Sequence, residues 1–348
     1  MSSRHLTSAR FAWSGILAAV IFTTTPVVRG QAGSPPRTAQ KATGVVARTP
    51  WGDPDLQGTY SNSNESGIPM QRPAEFAGRR LEDVTPGELV RLIQQRQERQ
   101  QQSALTIGGS ADNDTGAGPS HWYENGNAKN SRAWMVSDPA DGQIPALTDE
   151  AKQRAAAVRA ARRGGDGYYV GPFDGPEDLT LYVRCITRGL PGSMMPAIYG
   201  NSYQIVQSPG YVTIRYEMVH ETRVIPLDGR ARLADKFHFY MGDARGHWDG
   251  DTLVVETTNF LEQSAYGGAS GQLKVTERFK PSRKGVIDWS ITFDDKSTWV
   301  RPWTFGMELT RNEAEPVFEY ACHEGNQGLE GILSATRAAE RAATTTPK

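Results

Sequence analysis

The stretch Tyr211-Val212-Thr213-Ile214-Arg215-Tyr216-Glu217-Met218-Val219-His220, "YVTIRYEMVH", alternates apolar and polar side chains with a period of two. Successive side chains on a strand point to opposite faces, so this period reads as a half-buried β-strand. The same pattern recurs on both sides of it, in "LYVRCIT", "YQIVQS", "TRVIPL", "DTLVVETTNF", "LKVTERFK", "VIDWSITFDD", "WTFGMELT" and "VFEYACHE". Turn residues bound each run. Ser208-Pro209-Gly210 separates two of them, and Asp249-Gly250 in "HWDGDTLVV" is a two-residue hairpin signal. No long helical pattern interrupts the series, which excludes a parallel sheet with crossover helices. The expected fold is mainly β, an antiparallel meander closing into a barrel, because closure removes the exposed edges that so many strands would otherwise leave. "LQGTY" near residue 58 supplies one more strand, and the repeated blade signature of a propeller is missing.

Alternation also assigns faces. Val212, Ile214, Tyr216 and Met218 share one face, and continued parity puts His220 on it, pointing inward, with Glu217 outward. The same reading places Glu277 with Leu273, Val275 and Phe279, and Asn259 with Leu253, Val255 and Thr257. An inward carboxylate needs a partner or a raised pKa, since an isolated buried charge is costly. His220 and Glu277 therefore form a candidate acid/base couple, with Asn259 as an orienting or oxyanion-stabilising group. The alternative is a satisfied polar network that fixes strand register, with Arg278 or Arg301 as its cation. Glu217-x-x-His220 has the spacing of a metal pair on a helix, but on a strand the two residues split across the sheet. His238, His247 and His323 are scattered, so neither a metal nor another cofactor is expected. "KSTWVRPWTF" sets Trp299 and Trp303 beside Arg301 where a barrel mouth would lie. With Tyr216 these are the candidate ligand contacts.

The ends of the chain differ from its middle. Arg4, His5 and Arg10 precede the apolar run Phe11 to Phe22, with small residues Gly30 and Ala32 following, which reads as a signal peptide over residues 1–30. The apolar run is broken by threonines and a proline short of a spanning length, so a secreted or periplasmic protein without stable membrane insertion is expected, with a retained anchor as the alternative. Residues 31–48 read as a flexible linker, 49–165 as the first strand plus a polar helical extension or lid, 166–335 as the barrel, and 336–348 as a flexible tail. The extension carries two helix signals. Thr85, Pro86 and Glu88 make a capping box at the start of one, and Thr148 with Asp149 and Glu150 opens the other. Between them "GGSADNDTGAGPS" reads as a loop whose acidic residues lack calcium-loop spacing. The 38 basic against 39 acidic residues leave no cationic footprint for nucleic acid. Export favours a disulfide between the only two cysteines, Cys185 and Cys322, both given inward parity; two small buried hydrophobes are the alternative.

The blocks "PWGDPDLQGTY", "RCITRGLP", "GHWDGDTLVVETTNF" and "EYACHEGN" are similar to those of a family of largely uncharacterised secreted bacterial β-rich proteins, over about residues 49 to 335. That resemblance implies no particular activity. The early Gly58-x-Tyr60 strand followed by a meander also resembles lipocalin and other calycin-like barrels. Three functions follow as expectations: an exported small-molecule barrel with acid/base chemistry (lyase, isomerase or hydrolase), a non-catalytic carrier of an apolar or aromatic ligand, or an envelope-associated structural or interaction protein. Interior volume and paired inward polar groups separate them.

Overall fold

A computed structural model describes residues 46–107, 128–161, 173–197 and 199–345. The signal, most of the linker and the "GGSADNDTGAGPS" loop lie outside the described residues. In chain order the strands are β1 (Gly58–Ser61), β2 (Val136–Asp138), β3 (Ser202–Ser208), β4 (Tyr211–Tyr216), β5 (Thr222–Pro226), β6 (Asp243–Asp249), β7 (Thr252–Thr258), β8 (Lys274–Arg283), β9 (Val286–Asp294) and β10 (Trp303–Arg311). The helices are α1 (Pro86–Ile107), α2 (Asp149–Ala161) and α3 (Gln327–Thr345). The strands form an antiparallel sheet in the order β5-β4-β3-β1-β10-β9-β8-β7-β6, and it curls into a nearly closed calycin-like barrel.

Local chemistry sets the hairpins. Ser208 pairs with Tyr211 and Asp249 with Thr252, so Pro209-Gly210 and Gly250-Asp251 are two-residue loops, with Gly210 and Gly250 in left-handed backbone. The interior is built by parity. Val212, Ile214 and Tyr216 of β4, Leu253 and Val255 of β7, Val275 and Phe279 of β8, Trp289 and Phe293 of β9, and Phe305 and Met307 of β10 belong to one buried core. Leu190 and Met194, from the loop before β3, enter that same core and fill it further.

The two ends of the sheet order, β5 and β6, meet without a hydrogen-bonded ladder. Contact there is made by side chains on bare backbone. A Cβ added at Gly246 of β6 would lie 2.6 Å from Leu227 Cδ2 and 2.9 Å from Ile225 Cγ2, so glycine lets β5 approach.

A second interruption lies on the edge of β10. Its start pairs with β2 at Thr304 and Phe305, and its end with β1 at Thr310 and Arg311. Between them the Glu308 amide donates to Glu65 Oε2 at 3.4 Å, and Ser131 donates to the same carboxyl from its amide (3.1 Å) and its hydroxyl (2.5 Å). Glu65 thus replaces a missing stretch of strand. The extension rests beside it: Arg96 of α1 donates to Asn130 Oδ1 and to the carbonyl of Ala133, while Leu92 packs against Phe76 and Trp134. The box at Thr85 forms as the sequence implies, with the Thr85 amide on Glu88 Oε2 at 2.9 Å and the Glu88 amide on Thr85 Oγ1 at 3.3 Å.

Several expectations are corrected. "LYVRCIT" and "VFEYACHE" alternate but are turns and irregular backbone, not strands; Cys185 itself has a φ of 56°. β4 ends at Tyr216, because Glu217 is already helical and Val219 and His220 take φ values of 61° and 54°. The chain folds back there, and the Tyr216 amide donates to the Glu221 carbonyl at 2.9 Å. Parity is lost at that turn, so His220 is exposed at the rim and does not point inward. The tail expected from residue 336 is helical through Thr345. β6, within "DARGHWD", is a strand that apolar alternation does not mark.

Burial pushes Glu65 up from 4.5 to about 7, opposed by its Ser131 hydrogen bond and by Arg132. Between those values the folded protein holds a proton that the unfolded chain has released, so stability falls as pH rises through that window. Urea unfolding of Glu65→Gln between pH 4.5 and 7 is expected to show a shallower fall than the parent. An unchanged slope would contradict the assignment.

Candidate functional site

Inside the barrel the polar residues converge on one ion pair. Arg223 is carried inward by β5 beside Ile225, and Glu277 by β8 between Val275 and Phe279. Arg223 Nη2 lies 2.6 Å from Glu277 Oε2 and its Nη1 3.2 Å from Oε1, a two-point contact, with the side chains 3% and 0% exposed. Nη1 also donates to Tyr216 Oη at 3.2 Å, Nη2 reaches Thr257 Oγ1 at 3.4 Å, and Trp289 Nε1 donates to Glu277 Oε1 at 3.2 Å. Burial alone would lower the Arg223 pKa, but the Glu277 charge and hydrogen bonds outweigh it and hold the guanidinium protonated. Burial pushes the Tyr216 hydroxyl up to about 12, against the charge of Arg223. These groups are bonded mainly to one another, while Arg223 Nε is buried without a hydrogen-bond partner.

The expected constellation is therefore not assembled. Glu277 points inward as parity requires, but its cation is Arg223, not Arg278 or Arg301. His220 faces Glu319, with Nε2 3.9 Å from Oε1, outside the barrel wall. Asn259, in left-handed backbone at a φ of 58°, donates from Nδ2 to the carbonyls of Leu233, Ala234 and Phe237. Its amide braces a loop. Tyr216 belongs to the buried network, and Trp299 and Trp303 belong to the core, packed on Phe293. Arg301 is exposed near Asp141 at 3.7 Å. Arg223 escaped the sequence reading, although it shares the parity of Ile225 in "TRVIPL" and so was detectable as an inward cation.

One cleft of ligand size lies outside the barrel. This cleft, of about 630 Å³, is lined by Tyr182, Val183, Tyr199, Tyr320, Asn326 and Ile332, with both cysteines in its wall. Cys185 and Cys322 are joined as a disulfide across 137 residues, linking the turn that carries Tyr182 to the segment that carries Tyr320. Tyr199 and Tyr320 stack at 6.2 Å between ring centroids. Burial raises the Tyr320 pKa, as do its hydrogen bonds with Tyr199 and Tyr182, so the three hydroxyls form one group. Asn326 holds the walls together, donating to the Val183 carbonyl at 2.8 Å and capping α3 at the Leu329 amide at 3.2 Å. His220 stands beside this cleft: Met218 of its turn packs on Gly200, next to Tyr199, and Glu319 precedes Tyr320.

The rim between cleft and barrel is tied by Glu221. Its Oε2 accepts from Thr187 Oγ1 at 2.7 Å and Ser193 Oγ at 3.3 Å, and burial raises its pKa against those bonds and the Arg223 charge. The loop that fills the barrel end is thus bonded to β5. Among the described residues no group of His, Cys, Asp and Glu side chains could hold a metal ion. None of the described helices is long and apolar enough to cross a membrane. Comparison with protein-family models, with curated proteins and with solved structures gives no match.

The disulfide closes a long loop, and the chain-entropy account gives it at most about 5 kcal/mol. Replacing Cys185 and Cys322 together by serine is expected to lower unfolding stability by a fraction of that, with the barrel strands still formed. Equal stability of the two proteins in denaturant would contradict it.

Proposed function

We propose that this protein is an exported calycin-like barrel that binds an uncharged aromatic small molecule in the tyrosine cleft. One observation carries the reading. The cleft has the volume of a small-molecule site, and none of its lining side chains carries a formal charge, while three tyrosines line it. Ring faces stack on an aromatic ligand and the hydroxyls fix its orientation. Val183 and Ile332 add apolar wall, and Gly325 and Gly328 allow close backbone approach. The barrel interior offers the weaker seat, since Arg223, Glu277 and Tyr216 are engaged with each other there.

Export is supported by the basic, apolar and small-residue pattern of residues 1–32 and by the use of both cysteines in a disulfide. The sequence blocks named above support membership of the secreted bacterial β-rich family.

A second reading, acid/base catalysis on the bound compound, is favoured by the exposed His220, whose Nε2 lies 3.9 Å from Glu319, the residue before Tyr320 of the cleft. An imidazole is the side chain suited to moving protons near neutral pH. In that reading Glu277 and Asn259 act by holding the barrel and its loop in shape.

The test is a saturation-transfer NMR screen of neutral aromatic compounds against the parent protein, followed by Tyr199→Ala, Tyr320→Ala and His220→Gln. The expected result is binding that weakens about ten-fold or more in each tyrosine variant, as loss of a stacking aromatic implies. His220→Gln should retain affinity, and loss of turnover in it alone would select the enzyme reading. A hit whose affinity is the same in parent and both tyrosine variants would remove the cleft as the site.

A further inference from the structure

The segment 230–239, "RARLADKFHF", joins β5 to β6 and combines two properties that seldom occur together. It is exposed along its length apart from Arg232, including Leu233 (45%), Phe237 (47%) and Phe239 (40%). It is also held in a fixed shape. Asn259 Nδ2 takes the Leu233, Ala234 and Phe237 carbonyls, the Leu233 amide donates to Asp243 Oδ2 at 3.0 Å, and the Phe239 amide donates to the Asn259 carbonyl at 2.9 Å. The Phe239 carbonyl accepts from Leu261 and Gly242, and Arg245 donates to the carbonyls of Arg230 and Ala231.

Ordering a loop costs conformational entropy, and here the ordering holds large apolar side chains in water. Such an arrangement is favourable once those side chains are covered. We propose that this loop is a lipid-contact element that inserts Leu233, Phe237 and Phe239 into the interface of an anionic bilayer.

Two features select a bilayer as the partner. A lipid interface penalises unbonded backbone, and in this loop the carbonyls of Leu233, Ala234, Phe237 and Phe239 are already bonded inside the protein. The charges are also arranged for it. Arg230 is engaged by Asp228 and Arg232 by Glu256, while Lys236 is exposed with its Nζ 5.3 Å from the centre of the Phe237 ring. An ammonium on an apolar stem beside phenyl rings matches phosphate headgroups above acyl chains. Asp235 is the acidic residue next to Lys236, and with Asp243 at the Leu233 amide it limits the contribution of charge. The contact is interfacial and needs no spanning segment.

The experiment is co-sedimentation of the purified protein with phosphatidylcholine vesicles and with phosphatidylcholine–phosphatidylglycerol vesicles, for the parent, Phe237→Ser/Phe239→Ser and Lys236→Glu. The parent is expected to bind the anionic vesicles more tightly than the neutral ones. The double serine variant, with an unchanged thermal midpoint, should lose about ten-fold or more of that binding, and Lys236→Glu should lose the preference for anionic lipid. If the double variant proves less stable, the Lys236→Glu result and a shift in Phe237 and Phe239 NMR signals with vesicles decide the matter. No sedimentation of the parent, or equal sedimentation of parent and double variant, would overturn the proposal. So would a concentration-dependent dimer in analytical ultracentrifugation that the serine pair abolishes without any vesicle binding, since the loop would then cover a second copy.

Discussion

The Arg223–Glu277 pair is the constraint on which the rest of the barrel depends. Every other neighbour in the sheet order is held by a ladder of backbone hydrogen bonds, whereas β5 and β6 meet with none. Across that seam β5 sends Arg223 through the interior to Thr257 on β7 and Glu277 on β8. Gly246 supplies the close approach, and the ion pair supplies direction and register. Removing two charges from water is expensive, so the pair is better understood as specifying closure than as adding net stability. Loss of one member would leave an uncompensated buried charge, at a cost of about 3 to 5 kcal/mol.

This closure determines where function is found. Two-point bonding to Glu277, with Tyr216 and Trp289 also bonded to the pair, engages these polar groups with one another and leaves Arg223 Nε and the hydroxyl of Tyr203, which packs on Tyr216, as the unbonded polar atoms beside them. Leu190 and Met194 close one end, and Glu221 bonds their loop to the rim. What remains available is outside: the tyrosine cleft beyond that rim, and the braced loop that spans the seam. Both are built on irregular backbone, and each is anchored by an asparagine, Asn326 for the cleft and Asn259 for the loop. Loops positioned by a rigid scaffold are the usual carriers of recognition.

Much of the barrel was legible in the sequence, and the reasons it was are specific. β3, β4 and β8 to β10 bury mainly one face, so period-two alternation marks them and places Glu277 inside correctly, while β7, buried at Leu253, Val254 and Val255 in succession, is marked by its apolar run. β6 is silent because its inward residues at the seam are Ala244 and Gly246, too small to register as an apolar stripe. His220 was misplaced because parity holds only while the strand lasts, and nothing in "EMVHETR" announces left-handed backbone at Val219 and His220. "LYVRCIT" shows the converse, alternation without a strand, in a turn whose shape depends on the disulfide and on α3. That helix did carry a signal: Asn326 as cap, then Leu329, Ile332, Leu333 and Thr336 at helical spacing. The cleft could not be read at all, because Tyr182, Tyr199 and Tyr320 are distant in sequence and meet only through tertiary contacts.

The closure account is tested most directly by native-state amide hydrogen exchange on Glu277→Gln, compared with the parent strand by strand. If Arg223–Glu277 holds β5 against the far wall, the amides of Thr222 to Ile225 should lose about ten-fold or more of their protection beyond any global change, while β8, β9 and β10 keep their ladders. Equal loss of protection in every strand, or undiminished protection in β5, would contradict it.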